Sequence, residues 1–378
     1  MAEMNGDALK RPALPGRMAR KALCCLAPLA GLLFCGGCSS TELEQRSFPL
    51  AVGIDLQEEK KNLVVSFDFP DLAQVSEQGK TEDIPMALSL EGQDMYHVEK
   101  SYENNTNRLL DYNHMKVVVL GESLFGQEDM LRSLLLAWEQ REASARNTSL
   151  LVGSQSAAEI LSLTSETEGS MGKYLEEMLE SQKDFKQNKI ATMGDLMNQW
   201  HNQDELLLLP VLAENGGRPV ISAYAAVSGF AYRGMVSVEE AMESFLAQGL
   251  LERFTCEPSE DEVVEVSGIR VSCQVEQKGE APVVTVKIKG QGRLKTGQAN
   301  SASERARLEE KAEQGLMASL QGTAKRLQEE YGIDMADSYL MLGGHNRGLY
   351  GKYRGLAETY NREVQHVFQV DISLLDWE

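Results

Sequence analysis

The sequence predicts a mixed α/β protein whose successive domains each hold a β-sheet flanked by helices, all behind a secretory leader. Three observations predict this. Short β-branched strands alternate with amphipathic helices, which is the pattern of an α/β layer. The 378 residues, 42% hydrophobic and 25% charged, suffice for two or three ordinary domains with buried cores. The first 38 residues run from basic to apolar to small side chains, the order of an export signal.

Within that leader, Arg17, Arg20 and Lys21 precede the apolar run Ala22–Phe34, and no charge occurs between Lys21 and Glu42. The run is 13 residues long and interrupted by Pro28 and Gly31. A spanning helix needs about 20 mostly apolar residues, so a cleaved signal fits better. Gly36-Gly37-Cys38 resembles the lipobox of bacterial lipoproteins, with Cys35 where leucine is usual. The resemblance makes Cys38 the lipid attachment site and the new N-terminus, and residues 1–37 the signal peptide. Met18 is an alternative start, because residues 18–38 alone form a compact lipoprotein signal. A CxxC metal or redox pair at Cys35 and Cys38 lacks the second ligand pair it would need.

Residues 38–48 read as a polar tether, 49–215 as an N-terminal domain and 216–378 as a C-terminal domain, with room for a third subdomain. Leu50–Asp55 and Leu63–Phe69 are strands around the charged turn Gln57–Asn62, followed by a loop from Pro70 to Pro85. A helix is expected from Tyr96 to Leu110. Met115–Leu120 is continuously apolar, as suits a strand covered on both faces. The helix from Glu128 to Arg141 carries Leu131, Leu134, Leu135 and Trp138 at spacings of three and four. Leu150–Gly153 is a strand, and Ser156 and Glu159 stand at capping-box spacing for a helix over 157–163. Residues 171–201 read as polar helix, with Lys183, Lys186 and Lys189 on a solvated face. Leu206–Leu212 is an apolar run around Pro210. Gly216-Gly217-Arg218-Pro219 punctuates the chain and marks the expected boundary.

Beyond it, Ile221–Phe230 reads as one strand, and Ser237 with Glu240 caps a helix that Gly249 stops. Ile269, Val271, Cys273 and Val275 alternate on one strand face, as do Val284, Val286 and Ile288 on the next. Ser301 and Glu304 open a long helix with the apolar stripe Leu308, Ala312, Leu316, Leu320, Leu327 and Tyr331. Phe368, Val370, Ile372 and Leu374 give a half-buried last strand.

No catalytic, metal or cofactor motif emerges. His97, His114, His201, His345 and His366 form no HExxH, HxxEH or His/Cys pair at ligand spacing. GxSxG is absent, Gly172-Lys173 lacks the upstream glycine of a phosphate loop, and Gly290-Gln-Gly292 has no third glycine at the right distance. Cys256 and Cys273 are left after processing. They could close a loop worth about 3 kcal/mol, or Cys273 is simply a core residue. Lys and Arg number 37 against 57 Asp and Glu, net −20, which excludes a nucleic-acid binder. Without residues 1–37 the balance is 32 against 55, net −23, so an anionic bilayer would repel the exported chain and an anchor must hold it.

Asn113-His114-Met115-Lys116 through Gly121-Glu122 resembles the H-x-K-hydrophobic-G-E segment of the Ger(x)C (GerAC-like) family, the lipoprotein C subunits of spore germinant receptors. Glu42-Leu43, then Ala51–Asp55 ending G-I-D, resembles the family's segment after the lipid cysteine. Leu150–Leu161 is similar to its small-residue turn and A-x-E-I-L helix, Leu209-Pro210 to its Leu-Pro, and Ala226–Val236 to the strand that opens its C-terminal domain. Leu327–Asp334 resembles its long helix ending in Q-x-x-x-x-x-D. Two departures stand out. Ser39 follows the lipid cysteine where tryptophan is usual, and Tyr350, Tyr353 and Tyr360 occupy a segment usually rich in tryptophan. The resemblance implies a non-enzymatic subunit without cofactor, held by a diacylglyceryl anchor on the outer face of the spore inner membrane. Its partners would be the A and B membrane subunits of a germinant receptor, and its role nutrient-triggered spore germination. Two other readings are open on the residues alone. One is a lipid-anchored solute-binding component of a transporter. The other is a surface hydrolase, which would need His114 or His345 beside a nucleophile or carboxylate.

Overall fold

The computed structural model describes residues 45–70, 87–139, 146–163, 169–182, 184–186, 190–200 and 205–375. Cys38, His201, Lys183, Lys189 and nearly all of the expected 70–85 loop lie outside these residues. From Ser47 onward the chain is one compact unit built on two large sheets, of eight and four strands among the described residues.

The first sheet starts with the expected hairpin. β1 (Ala51–Gln57) and β2 (Asn62–Asp68) pair antiparallel, Ala51 opposite Asp68 and Gln57 opposite Asn62. β3 (Ala87–Gly92) adds to β2. On its other side β1 runs parallel to β4 (Val117–Gly121), which runs parallel to β5 (Ser149–Gly153), and β5 to β6 (Leu207–Asn215). β7 (Arg218–Ser228) and β8 (Ala231–Val236) extend it antiparallel, giving the order β8-β7-β6-β5-β4-β1-β2-β3. The unbroken apolar run of β4 lies mid-sheet, where both faces must be covered. Val118 and Leu120 face a core shared with α1 (Met95–Thr106) and α2 (Glu128–Glu139). Val117 and Val119 face α3 (Ala157–Ser162) and α4 (Met171–Glu180).

In the second sheet β9 (Arg253–Ser259), β10 (Glu262–Lys278), β11 (Ala281–Thr296) and β12 (Gln365–Leu374) lie side by side in chain order. β12 is parallel to β11 because the long helix α7 (Ala302–Tyr331) carries the chain back across the sheet. The predicted stripe of α7, Leu308 to Leu327, packs on the alternating residues Val264, Val284, Val286 and Ile288. The free edge of β12 is covered as well. The Ile372 and Leu374 amides donate to Glu313 and Glu309 of α7, at 2.9 and 2.7 Å, which satisfies donors that an edge strand otherwise exposes. Both predicted capping boxes form, Ser301 with Glu304 on α7 and Ser237 with Glu240 on α6 (Val238–Ala247). Phe245 of α6 meets Tyr224 of β7 at 5.5 Å, so one core runs from the second sheet onto the first.

Several elements differ from expectation for identifiable reasons. Gly216 and Gly217, at the expected boundary, have φ of 61° and 80° and make the tight turn between β6 and β7, so the first sheet continues past them to Val236. The expected strand 221–230 ends at Ser228. Gly229 and Phe230, at φ 60° and 64°, turn the chain into β8. An apolar residue conceals this turn in the sequence. Phe230 is fully buried, its ring 4.8 Å from Trp200, and its amide donates to Gln199. The expected helix over 171–201 is two helices, α4 and α5 (Met193–Asn198), and between them Phe185 pairs with Leu251. Lys186 is not simply solvated, because its Nζ donates to the carbonyls of Gly249 and Ile269 at 3.0 and 3.1 Å.

Candidate functional site

Two of the motif residues, Asp55 and Gly121, meet at the ends of the parallel strands β1 and β4. Asp55, last of the G-I-D triplet, leaves β1 beside the N-terminus of α3. It accepts from the Ser156 hydroxyl (2.9 Å) and from the Ala157 and Ala158 amides (2.8 and 3.0 Å). Those amides are the unpaired donors of a helix start, where a negative charge is also favoured by the dipole. Ser156 does cap α3 through Ala158, but Asp55, a hundred residues upstream, completes the cap in place of the expected Glu159 box. The next strand explains the glycine of the G-E pair. A Cβ on Gly121 would stand 2.1 Å from Asp55 Oδ1, so only glycine lets the carboxylate pass. In open parallel sheets the space beyond the strand ends, at a helix N-terminus, commonly receives a ligand's anionic group. Here the chain's own carboxylate fills it.

β2 repeats the device. Asp68, 3% exposed, accepts from the Ser170 hydroxyl and the Gly172 amide, both at 2.7 Å, at the start of α4. Burial pushes its carboxyl above the ordinary range, and these hydrogen bonds offset that only in part. Lys116, from the H-x-K stretch, pairs with Glu176 of α4 at 2.8 Å.

The third constellation ties the end of α7 to β12. Asp334 is buried, and its Oδ1 lies 2.8 Å from His366 Nε2. Its Oδ2 accepts from the amide and hydroxyl of Ser338 at 2.7 and 2.6 Å, and Ser338 Oγ lies 2.8 Å from Tyr360 Oη. Burial alone would raise the carboxyl. The bond and charge of His366, with the Ser338 donors, outweigh it and hold Asp334 below its usual range. Although Asp, His and Ser meet here, serine and histidine both bond to the aspartate and not to each other, which is not a nucleophile–base relay. Gln328, the other end of that family motif, donates to the Asn361 and Val364 carbonyls, both at 2.7 Å. It fixes α8 (Ala357–Glu363) and the entry to β12.

The remaining candidates are dispersed. His97 pairs with Asp94 at an exposed helix start, and His114 packs edge-on to Phe48 at 5.2 Å. Among the described residues no cluster of three or more His, Cys, Asp or Glu side chains could hold a metal, and no helix is long and apolar enough to cross a membrane. Cys256 and Cys273 are free thiols. Cys256 stands opposite Val264, nine residues along β10 from Cys273. At about 3.3 Å per residue that is roughly 30 Å, against the ~6 Å between Cα atoms that a disulfide spans. The bond considered from the sequence does not fit this register, and both cysteines are half-buried against the core of the second sheet. Burial pushes both thiols up to about 11, with the charge of Asp334 adding at Cys273.

Fold and site together define an α/β protein with two large sheets, in which strand-borne carboxylates are committed to holding helix ends. The chain belongs to the GerAC-like family of spore germination proteins. Residues 39–214 match the spore germination protein N-terminal domain, and residues 247–372 match the spore germination B3/GerAC-like C-terminal domain. Residues 215–246, holding β7, β8 and nearly all of α6, fall between the two. The fold is similar to the crystal structure of the GerBC protein, with a TM-score of 0.58 and 15% identity, over 86% of this chain and 97% of that one. No curated protein matches the chain. The family is one of germinant receptor C subunits, which are not known to be enzymes, and it points to association with receptor subunits at a membrane.

Proposed function

We propose that this chain is the lipid-anchored, non-enzymatic C subunit of a spore germinant receptor, required for nutrient-triggered germination. The observation that carries the reading is that the two germination-protein domains together account for most of the chain, the first beginning at the residue after Cys38. A diacylglyceryl group on Cys38 holds the protein on the outer face of the spore inner membrane, beside the A and B membrane subunits. Two or more acyl chains give stable attachment where one is marginal, which matters for a chain that carries net −23 after processing and has no charge-based affinity for an anionic bilayer. Tethering also raises its effective concentration near membrane partners. Deleting the gene in its spore-forming host tests the role: sporulation proceeds and nutrient-triggered germination fails. Normal germination in every nutrient tried would refute it. Mass spectrometry of the mature N-terminus tests the anchor separately, since an unmodified Cys38 removes it.

A further inference from the structure

The second sheet packs one face on α7 and leaves the other open. Val264, Val286 and Ile288 point into the core, whereas Ser272, Gln291 and Gln369, in the opposite phase, are exposed. The chain is strongly acidic, yet no acidic residue occurs between Glu280 and Glu304. The cations of that stretch, Lys287, Lys289, Arg293 and Lys295, alternate with the core residues of β11 and so share its open face. They form a row of roughly 26 Å at about 3.3 Å per residue. Arg270 of β10 joins them, directly opposite Lys289, and like charges so placed cost stability. Asp371 pairs with Lys289 at 2.6 Å and Glu265 with Lys295 at 2.9 Å. Arg270 and Lys287 have no ion-pair partner among the described residues. Over the outward positions 265–276, 285–295 and 365–373, these five cations meet only Glu265, Glu276 and Asp371. The face is thus net +2 on a processed chain of net −23.

We propose that the open face of the second sheet is the surface this protein turns toward the membrane, its cations resting on anionic phospholipid headgroups. Charge complementarity carries the choice of occupant. The centre of a protein–protein interface is enriched in aromatic residues and depleted in Lys. Here the outward residues are Lys, Arg, Ser, Thr and Gln, and Val367 is the one exposed large hydrophobic among them. At physiological ionic strength, charges more than about 8 Å from a headgroup layer are largely screened. A layer in contact with this face therefore meets its five cations and three carboxylates, not the net charge of the chain. Headgroup phosphates also relieve the opposed Arg270 and Lys289. Each net cation near an anionic leaflet favours contact by roughly fivefold, so +2 gives a bias of about 30-fold. A bias of that size orients a chain that is already tethered and is no attachment of its own. The inference rests on the membrane tether proposed above.

The test holds the processed chain, residues 39–378, on vesicles through an N-terminal histidine tag and a nickel-chelating lipid, so its outcome does not depend on whether Cys38 is lipidated. A donor dye is placed on Ser272→Cys in the open face, or on Asn104→Cys on α1, and energy transfer to acceptor-labelled headgroups is read. Cys256 and Cys273, their thiols pushed up to about 11, leave the introduced cysteine to react at neutral pH. Replacing phosphatidylcholine by an equal mixture with phosphatidylglycerol is expected to raise transfer from position 272 and not from 104. Raising salt to about 1 M, where the screening length is about 3 Å, is expected to abolish the rise. Arg270→Glu with Lys287→Glu takes the face from +2 to −2 without breaking an ion pair, so it is expected to remove the rise with the melting temperature unchanged. Transfer from 272 that ignores phosphatidylglycerol, or a folded double variant that responds as before, would overturn the proposal. So would a rise that follows protein density equally on neutral vesicles, which would show the face meeting a second copy of the chain.

Discussion

Asp55 and Gly121 are expected to behave as one unit although 66 residues separate them. Removing the carboxylate by Asp55→Ala takes three hydrogen bonds from the start of α3. A lost N-cap costs about 1 kcal/mol, and charged hydrogen bonds about 1.5–3, so the expected loss is about 3 kcal/mol. Gly121 has φ −65° and ψ 145°, a conformation any residue adopts, so Gly121→Ala carries no backbone strain. Its cost comes from the Cβ placed 2.1 Å from Asp55 Oδ1, which displaces the carboxylate from its cap; overpacking of this kind costs about 2 kcal/mol. Independent effects would give a double variant down by about 5 kcal/mol. If the methyl acts by pushing Asp55 away, the double variant falls by about 3, because no carboxylate remains to displace, and the coupling is about 2 kcal/mol. Guanidinium unfolding followed by circular dichroism reads the cycle. Amide exchange at Ala157 and Ala158 reads it locally, with Gly121→Ala accelerating exchange as Asp55→Ala does. Additive losses, or unchanged exchange at those two amides in Gly121→Ala, would show that the glycine serves something other than the cap.

Two buried aspartates should give stability opposite dependences on pH. Asp334 is held below its ordinary value of 3.8, so its contribution is present above that value and fades as pH falls through the folded-state value. Asp334→Asn should therefore cost most near neutrality and less in acid, in unfolding curves taken from pH 3 to 7. Asp68 is raised by burial, so its contribution is present below 3.8 and is lost as pH rises through the higher folded-state value. The penalty of Asp68→Asn should shrink over the same rise, and parallel trends for the two variants would refute the assignment. The thiols of Cys256 and Cys273, both pushed to about 11, should react with a disulfide reagent at pH 8 slowly when folded and completely in denaturant. An intact mass two hydrogens short would instead reveal the disulfide. Glu313→Ala should expose the Ile372 amide on the edge of β12 and speed its exchange, leaving the mid-sheet amides of β4 unchanged.

What was legible in the sequence is what local chemistry decides. Ser301 with Glu304 and Ser237 with Glu240 read as capping boxes because donor and acceptor lie three residues apart, and both form. The alternation around Cys273 and along β12 gave strand faces, because period two is a property of the strand itself. Expectations departed from the structure where a distant group competed with a local one. Ser156 and Glu159 have the spacing of a box, but Asp55, set by the pairing of β1 with β4, supplies the stronger acceptor. Phe230 reads as strand because it is apolar, whereas its left-handed turn is held by Gln199 and Trp200 from another element. Whether Cys256 and Cys273 could bond was settled by register, which no spacing in the sequence encodes.

The same distinction bears on the family likeness. G-I-D, K-hydrophobic-G-E and Q-x-x-x-x-x-D are short patterns without a chemical motif of their own, and each resolves into one half of a distant contact. Asp55 needs Gly121 to lack a side chain, and Gln328 needs the backbone of 361–364. Such residues brace the scaffold, so their presence identifies the fold and leaves its recognition surface unspecified.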